Sequence, residues 1–405
     1  MTTAPTTAPD PLTAFADPDW LAGDRTEVYR TLRDDFPVLQ AGPIRIVSRH
    51  ADAETVLRDP AARLQAPGTD LPAWFPAGPA ARRLRANMVQ TDGEVHRRLR
   101  GIVAPLFTAR RSEELRTAAA AEVAAELDRV LVDGRPFDAV AEFAARIPRG
   151  VLRLLIGMPD EDWALMLDTQ VEFLMIFSPF PLEPAQQARL DEVSQFYFDY
   201  FDGFLGRTTR PTPLVERLLT AESEGRLSRD EVLSLMHTVL DAGFETTRTS
   251  LSNLVEYLAA RPELLEAARR DPTTRVGIRE ELLRLRAPVQ VANRIPAEDV
   301  VTSDGSLLPA GEQVLVVIGA ANTDERAFPD PDRMDPDRPN ASRHLAFGTG
   351  LHHCLGAPLA RIQLAETLAG LADRAGAIDL EAKAERHPSL IFPSLASLPV
   401  RFGAR

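Results

Sequence analysis

The 405-residue chain sets 46 Lys and Arg against 59 Asp and Glu, a net charge of −13 that disfavours a nucleic-acid or anionic-membrane surface role. Its 44% hydrophobic and 26% charged residues suit an ordinary packed core, and no Gly/Ser linker or internal repeat divides it, so a single large domain over residues 12–405 is plausible. One cysteine rules out an internal disulfide and an iron–sulfur cluster held by four cysteines.

Residues 1–11 are polar, rich in Thr and Pro and uncharged until Asp10; they are not a signal peptide and read as a disordered lead-in. No apolar stretch reaches the length of a membrane span, and the expected location is the cytoplasm. A strand signal at 44–48 precedes a Pro/Ala-rich stretch with Trp74, Phe75 and Met88. His96 and Arg100 stand four apart, so one helix face can present both. Helical spacing follows over 111–132 and 185–205. Seven of the 18 phenylalanines lie between Phe173 and Phe204, including Phe177, Phe180 and Phe201.

A capping box of Ser228 and Glu231 opens a helix over 228–260, stopped by Pro262. At ~1.5 Å per residue it is on the order of 50 Å long, enough to cross a domain. Its middle, Asp241-Ala242-Gly243-Phe244-Glu245-Thr246-Thr247, is unusual. A glycine and an acid–alcohol pair weaken the local ladder, because Thr can bond back to a carbonyl one turn earlier. An exposed patch on a long helix has the same composition. Glu281 and Arg284 face each other three apart on a later helix, commonly a surface pair of small worth. A strand at 313–318 follows the turn Pro309-Ala310-Gly311, and a last strand covers 398–402. The whole is mainly α with a small β portion.

Cys354 lies within Phe347-Gly348-Thr349-Gly350-Leu351-His352-His353-Cys354-Leu355-Gly356. Glycines let the backbone approach a flat cofactor and turn amide N–H groups toward sulfur. The segment 355–376 has helical spacing with Pro358 in its first turn, so Cys354 sits at a helix N-terminus, where the macrodipole favours the thiolate. Zinc does not suit His352, His353 and Cys354, since three adjacent ligands cannot close a tetrahedron. The pattern points to haem iron held by one axial sulfur.

Phe347, Gly350, His352, Cys354 and Gly356, followed by Leu359-Ala360-Arg361, resemble the haem signature of the soluble bacterial cytochrome P450 family. That resemblance implies the family's fold, a long central helix over haem b with a cysteine loop beneath, and Cys354 as axial ligand. It places Phe347, Gly348, Gly356 and Ala242 against the haem and His96, Arg100, Arg294 and His352 on its propionates. By the same match Thr246 hydrogen-bonds dioxygen and Glu245 helps to relay protons. Glu281 and Arg284, joined by Arg338, brace the cysteine loop. Thr238, Val289, Val291, Ile391, Phe392, Trp74, Phe75, Met88 and Phe177 fall where the family binds substrate; packing of the lid helices accounts for the aromatics equally well.

Two departures stand out. Asp92-Gly93-Glu94-Val95 occupies a place where relatives often carry prolines. Asp241 replaces a residue that is usually aliphatic, and a carboxylate beside an apolar cavity is costly unless paired. It meets a polar or cationic substrate group, extends the proton relay, or is satisfied by a neighbouring arginine or water.

The implied activity is insertion of one oxygen atom from O2 into a hydrophobic small molecule, a secondary-metabolite intermediate by association with the soluble bacterial type. Electrons come from outside, because Gly348-x-Gly350-x-x-His353 lacks the third glycine and preceding strand of a dinucleotide loop. A ferredoxin with its reductase is the expected donor, docking on Arg97, Arg98, Arg343 and Arg361. The rivals are a peroxide-driven enzyme, against which the acid–alcohol pair argues, and a fold that partners a carrier protein with a tethered substrate.

Overall fold

Ser228 accepts the amide of Glu231 at 3.3 Å while the Glu231 carboxylate accepts the amide of Ser228 at 2.8 Å, and this reciprocal cap starts a 32-residue helix. In the computed structural model, which describes residues 11–66, 68–72, 75–132, 134–167, 175, 177 and 181–405, that helix is continuous from Arg229 to Ala260. The lead-in at 1–10 and Trp74 lie outside the described residues; Pro11 already opens a short helix.

The helices used below are, in chain order, α1 (Thr26–Asp34), α2 (His50–Arg58), α3 (Pro79–Arg85), α4 (Gly93–Val103), α5 (Arg116–Leu131), α6 (Arg146–Ile156), α7 (Pro184–Arg207), α8 (Arg229–Ala260), α9 (Thr274–Leu285) and α10 (Ala357–Arg374). The strands are β1 (Val38–Ala41), β2 (Ile44–Val47), β3 (Phe137–Asp138), β4 (Val291–Arg294), β5 (Gln313–Val317), β6 (Ala375–Leu380) and β7 (Pro399–Ala404). The expected helix over 111–132 is two helices, 109–114 and α5, joined at Leu115. Leu115 caps the first, its amide reaching back to Ser112, and stays near the right-handed region, so neither glycine nor proline marks the break.

Two compact units, each discontinuous in sequence, make up the chain. The first comprises residues 1–62, 276–353 and 383–397. Its sheet runs β1-β2-β5-β4, with β2 and β5 parallel and the other neighbours antiparallel; Ile44 pairs with Gln313 and Val291 with Val317. The alternate residues Ile46, Leu315 and Val317 turn one face onto Val28 and Leu32 of α1, the period-two burial of a sheet covered on that side.

The second unit comprises residues 63–275, 354–382 and 398–405 and holds α8 at its core. Buried side chains surround α8 on every side, from Val232 and Leu233 to Leu254 and Leu258, as a core helix requires. Arg98 of α4 grips the capping carboxylate of Glu231 with Nη1 at 2.9 Å and Nη2 at 2.5 Å, fixing α4 to the start of α8. The guanidinium holds Glu231 below the usual carboxylate range. Against α5, α10 packs closely because Gly370 stands where a Cβ would meet Val123 and Leu127 at under 3 Å, namely 2.8 and 2.9 Å. A small antiparallel sheet, β3-β7-β6, completes the unit.

Candidate active site

Gly356 caps α10 and Pro358 fills its first turn, and Cys354, two residues ahead of the cap, faces the amides of Gly356 and Ala357. Burial pushes its thiol up, against the amides of Gly356 and Ala357 and the charges of Arg100 and Arg361, which pull it down. The side chain nevertheless keeps an exposed surface. Gly350, ahead of it, has φ of +72°, and a Cβ there would fall 2.5 Å from the carbonyl oxygen of Leu57, so only glycine permits this close turn against α2.

α4 presents His96 and Arg100 on one face, as their spacing predicts. His96 is buried, and its Nδ1 donates to the Met88 carbonyl at 2.8 Å, which fixes the ring's tautomer and orientation. Arg100 is near enough to Cys354 for the sulfur to raise its pKa against the lowering by burial. In the middle of α8, Thr246 Oγ1 donates to the Ala242 carbonyl at 2.7 Å, the back-bond expected from the sequence, without interrupting the helix. Its oxygen keeps lone pairs with which to accept. Glu245 is buried and held bidentately by Arg248, Nε to Oε2 at 2.9 Å and Nη2 to Oε1 at 2.6 Å. Cys354, His96, Arg100, Ala242, Glu245, Thr246 and Gly356 all belong to the second unit.

The neighbouring-arginine alternative for Asp241 is the one the structure shows. Arg83 Nη2 of α3 stands 2.8 Å from Asp241 Oδ2, with the two side chains 2% and 1% exposed. His237 Nε2, one turn earlier on α8, lies 2.6 Å from the same oxygen. Burial, and then the charge of Arg83, pull His237 down to about 4, so the ring is neutral and the arginine supplies the counter-charge. Thr238 is buried too, its hydroxyl donating to the Ser234 carbonyl at 2.7 Å. Met88 belongs to the main core of this unit, while Phe75 and Phe177 pack against Leu84 of α3 and Leu190 of α7, the packing role weighed for these aromatics.

In the first unit, Glu281 is fully enclosed and anchors two arginines: Arg284 Nε at 2.6 Å and Arg338 Nε at 3.1 Å. The pair that spacing alone assigns to the surface is therefore a buried network. The Gln290 amide donates to the Ile391 carbonyl at 2.8 Å and brings the segment of Val289 and Val291 beside that of Ile391 and Phe392. Arg294 ends β4, buried, with Nη1 on the Asn293 carbonyl at 2.7 Å. Phe347, Gly348 and His352 lie on the turn that leads to Cys354, with Gly348 at φ of +61°. Of the four arginines expected to dock a ferredoxin, Arg98 is engaged by Glu231; Arg97 and Arg343 are exposed.

Three residues escaped the sequence reading. Arg248 was accessible to it, being three residues after Glu245 on one helix. His237 shares the i, i+4 stripe of Asp241. Arg83 carries no such signal, being 158 residues from its partner.

The donors around Cys354 suit haem. A single exposed cysteine, with two amides and two arginines favouring its thiolate against burial, matches an iron whose remaining ligands arrive with a porphyrin. A model of the cytochrome P450 family matches residues 161–371. Cytochrome P450 monooxygenase PikC of Streptomyces venezuelae is 36% identical over 335 residues, 81% of this chain and 78% of the relative. The mycinamicin IV hydroxylase/epoxidase of Micromonospora griseorubida is also 36% identical, over 371 residues, 87% of this chain and 88% of its own. Among solved structures, P450BioI in complex with acyl carrier protein ligated to hexadec-9Z-enoic acid superposes with a TM-score of 0.86 at 26% identity, covering 94% of this chain and 99% of that one. CalO2 gives 0.86 at 29%, covering 98% and 99%. With relatives this similar over this much of its length, the chain belongs to the cytochrome P450 family and is a P450 monooxygenase, its haem b carried on Cys354 as axial thiolate.

Proposed function

We propose that this monooxygenase oxidises a hydrophobic intermediate of secondary metabolism, drawing electrons from a separate ferredoxin and its reductase, as one domain over residues 12–405 in the cytoplasm. The observation that carries the reading is the joint presence, in one unit, of an amide-cradled Cys354 and of the Thr246 hydroxyl and Glu245 carboxylate on α8. Relatives named for hydroxylation and epoxidation in natural-product pathways support the substrate class. No described helix is long and apolar enough to cross a membrane, in keeping with a protein free of the bilayer.

Bound haem supplies activation of O2 and transfer of one oxygen atom to the substrate, for a balance of substrate, O2, two electrons and two protons giving oxygenated product and water. The chain's residues do the rest. Amides of Gly356 and Ala357 favour the ionised form of Cys354 against its burial. By the family's pattern we assign His96, Arg100, Arg294 and His352 to the propionates and Phe347, Gly348, Ala242 and Gly356 to the haem face. Thr246, its hydroxyl donating to the Ala242 carbonyl, keeps lone pairs with which to accept a proton, and we assign Glu245, held by Arg248, to the path that would bring protons toward it. By the family's pattern we assign Phe75, Met88 and Phe177 of the second unit, and separately Val289, Val291, Ile391 and Phe392 of the first, to the substrate side; Trp74 lies outside the described residues. Glu281, Arg284 and Arg338 brace the cysteine turn. Asp241 and Thr238 contribute to the substrate side through the position of α8.

Turnover under ¹⁸O2 with ferredoxin and reductase, on compounds selected by the spin-state shift they cause, tests the reading: one labelled oxygen enters the product. Equal turnover on hydrogen peroxide alone overturns it in favour of the peroxide-driven enzyme. Thr246→Val lowers product formation by about 10²-fold or more while electron consumption continues as released peroxide. A product yield unchanged by this variant removes Thr246 from the proton path. The complex of P450BioI with an acylated carrier keeps a second reading open, a carrier-tethered substrate, which shows as turnover of a carrier-bound compound and none of its free form.

A further inference from the structure

The start of α1 carries a buried polar chain that no step of the oxidation uses. Arg25 stands at the N-cap of α1, buried, and lies over the Trp20 ring at 5.2 Å. Its Nη1 donates to the Tyr29 hydroxyl oxygen at 3.5 Å, one helical turn on. Burial pushes the Tyr29 hydroxyl up, against the pull of Arg25, so it stays protonated and donates to Gln290 Oε1 at 2.9 Å. Gln290 Nε2 donates in turn to the Ala287 carbonyl at 2.6 Å. Donors and acceptors alternate consistently along the chain, which fixes the carboxamide one way round. The Gln290 backbone is engaged too, its amide on the Ile391 carbonyl at 2.8 Å and its carbonyl under the Gly319 amide at 3.3 Å. Gly319 belongs to the short helix Ile318–Asn322; a Cβ there would run into Gln290 Oε1 and stand 2.7 Å from Tyr29 Cε2, so glycine leaves the chain its room.

Arg25 also reaches the segment of Ile391 directly, with Nη1 on the Leu390 carbonyl at 3.3 Å and Nη2 on that of Ser389 at 2.6 Å. Two stretches far apart in sequence, one at Gln290 and one at 389–391, are therefore tied to each other and each to α1, all within the first unit. Beside these ties Val289 and Ile391 stay partly exposed, while Tyr29 and Gln290 are 5% and 7% exposed. Apolar packing alone would seat α1 here: Trp20, Val28, Tyr29 and Val291 share one core, with Leu390 and Ile391 packed against it. A polar chain in such a core adds direction. Its members are satisfied in one arrangement only, so it selects a single placing of Val289 and Ile391 among those that packing allows.

We propose that Arg25 and Tyr29 are positioning residues for the substrate, acting through Gln290 and the carbonyls of Ser389 and Leu390 to place Val289 and Ile391 without touching the ligand themselves. This role rests on the assignment of Val289 and Ile391 to the substrate side, which Val289→Ala tests separately. Two iron-ligating probes read the effect on the holoprotein by their Soret shifts: imidazole, too small to depend on the walls, and econazole, bulky and apolar. In Tyr29→Phe, which removes one hydroxyl, econazole binds about five- to tenfold more weakly than to wild type, and imidazole binds equally well. The double variant Tyr29→Phe/Gln290→Leu leaves no bare acceptor, so its thermal midpoint returns toward that of wild type. Its econazole affinity stays low, because no bond now directs Val289 and Ile391. Econazole binding unchanged in Tyr29→Phe, an equal weakening of both probes, or an econazole affinity that recovers together with the midpoint overturns the proposal. Val289→Ala weakens econazole in the same titration. No effect of Val289→Ala strikes the substrate-side assignment and the positioning role with it; a weakening there beside an unaltered Tyr29→Phe strikes the positioning role alone.

Discussion

Cys354→Ser protein, reduced and exposed to carbon monoxide, lacks the strongly red-shifted Soret band that the wild type shows, and its O2-dependent turnover falls below detection. The surroundings explain why serine does not substitute. Burial raises the Cys354 thiol, and the amides of Gly356 and Ala357, with the charges of Arg100 and Arg361, offset part of that rise in favour of the thiolate. A serine hydroxyl in the same place stays neutral, and it is a harder and weaker ligand for iron than a thiolate that pushes electron density onto it. The loop itself survives the change. Gly350 keeps its turn against Leu57, and the amides gain a hydroxyl oxygen in place of sulfur. The variant therefore folds, which the far-ultraviolet circular dichroism of both proteins checks. A red-shifted band that persists in the folded variant places the axial ligand elsewhere.

The parts of this molecule that were legible in its sequence are those whose determinants are local. Ser228 and Glu231 cap α8 as their spacing predicts, and the back-bond of Thr246 follows from an alcohol in mid-helix. The cysteine turn is continuous in sequence, so its glycines, its sulfur and the helix behind it could be read together. Where determinants are distant, reading stopped. Asp241 was recognisable as a carboxylate in need of a partner, yet nothing near it names Arg83, because the pairing exists only once α3 is laid across α8. The join at Leu115 illustrates the opposite failure: residues 109–131 keep good helix formers throughout, and the break comes from packing and not from a breaker residue. Arg248 was local and overlooked. Its grip on Glu245 means that the carboxylate proposed as a relay shares its two oxygens with a guanidinium only 15% exposed.

Glu281→Ala lowers the free energy of unfolding by about 3–5 kcal/mol, the cost of leaving buried cations without their anion. The same three-residue spacing occurs on the surface, where Arg116 reaches Glu113 with Nε at 2.5 Å and the side chains are 40% and 58% exposed. Spacing does not separate the two cases; burial does. At Glu281 and Arg284 both side chains are 0% exposed, so water cannot replace the lost contact. Glu281 is also the hub of its neighbourhood. Beyond its two arginines it accepts the Asp335 amide at 3.0 Å. Arg284 goes on to the carbonyls of Asn322 and Pro331, at 2.9 and 2.6 Å, and Arg338 to those of Pro329 and Asp330, at 2.5 and 3.1 Å. Removing one carboxylate loosens the whole turn from Asn322 to Arg338, and with it the chain that leads on to Cys354. The midpoint of urea unfolding, followed together with the haem Soret band, measures both consequences: the midpoint drops and haem is lost before the helices unfold. Glu113→Ala leaves both readings at their wild-type values. Equal, small effects from the two substitutions would show that the Glu281 network carries no more of the stability than an ordinary surface pair.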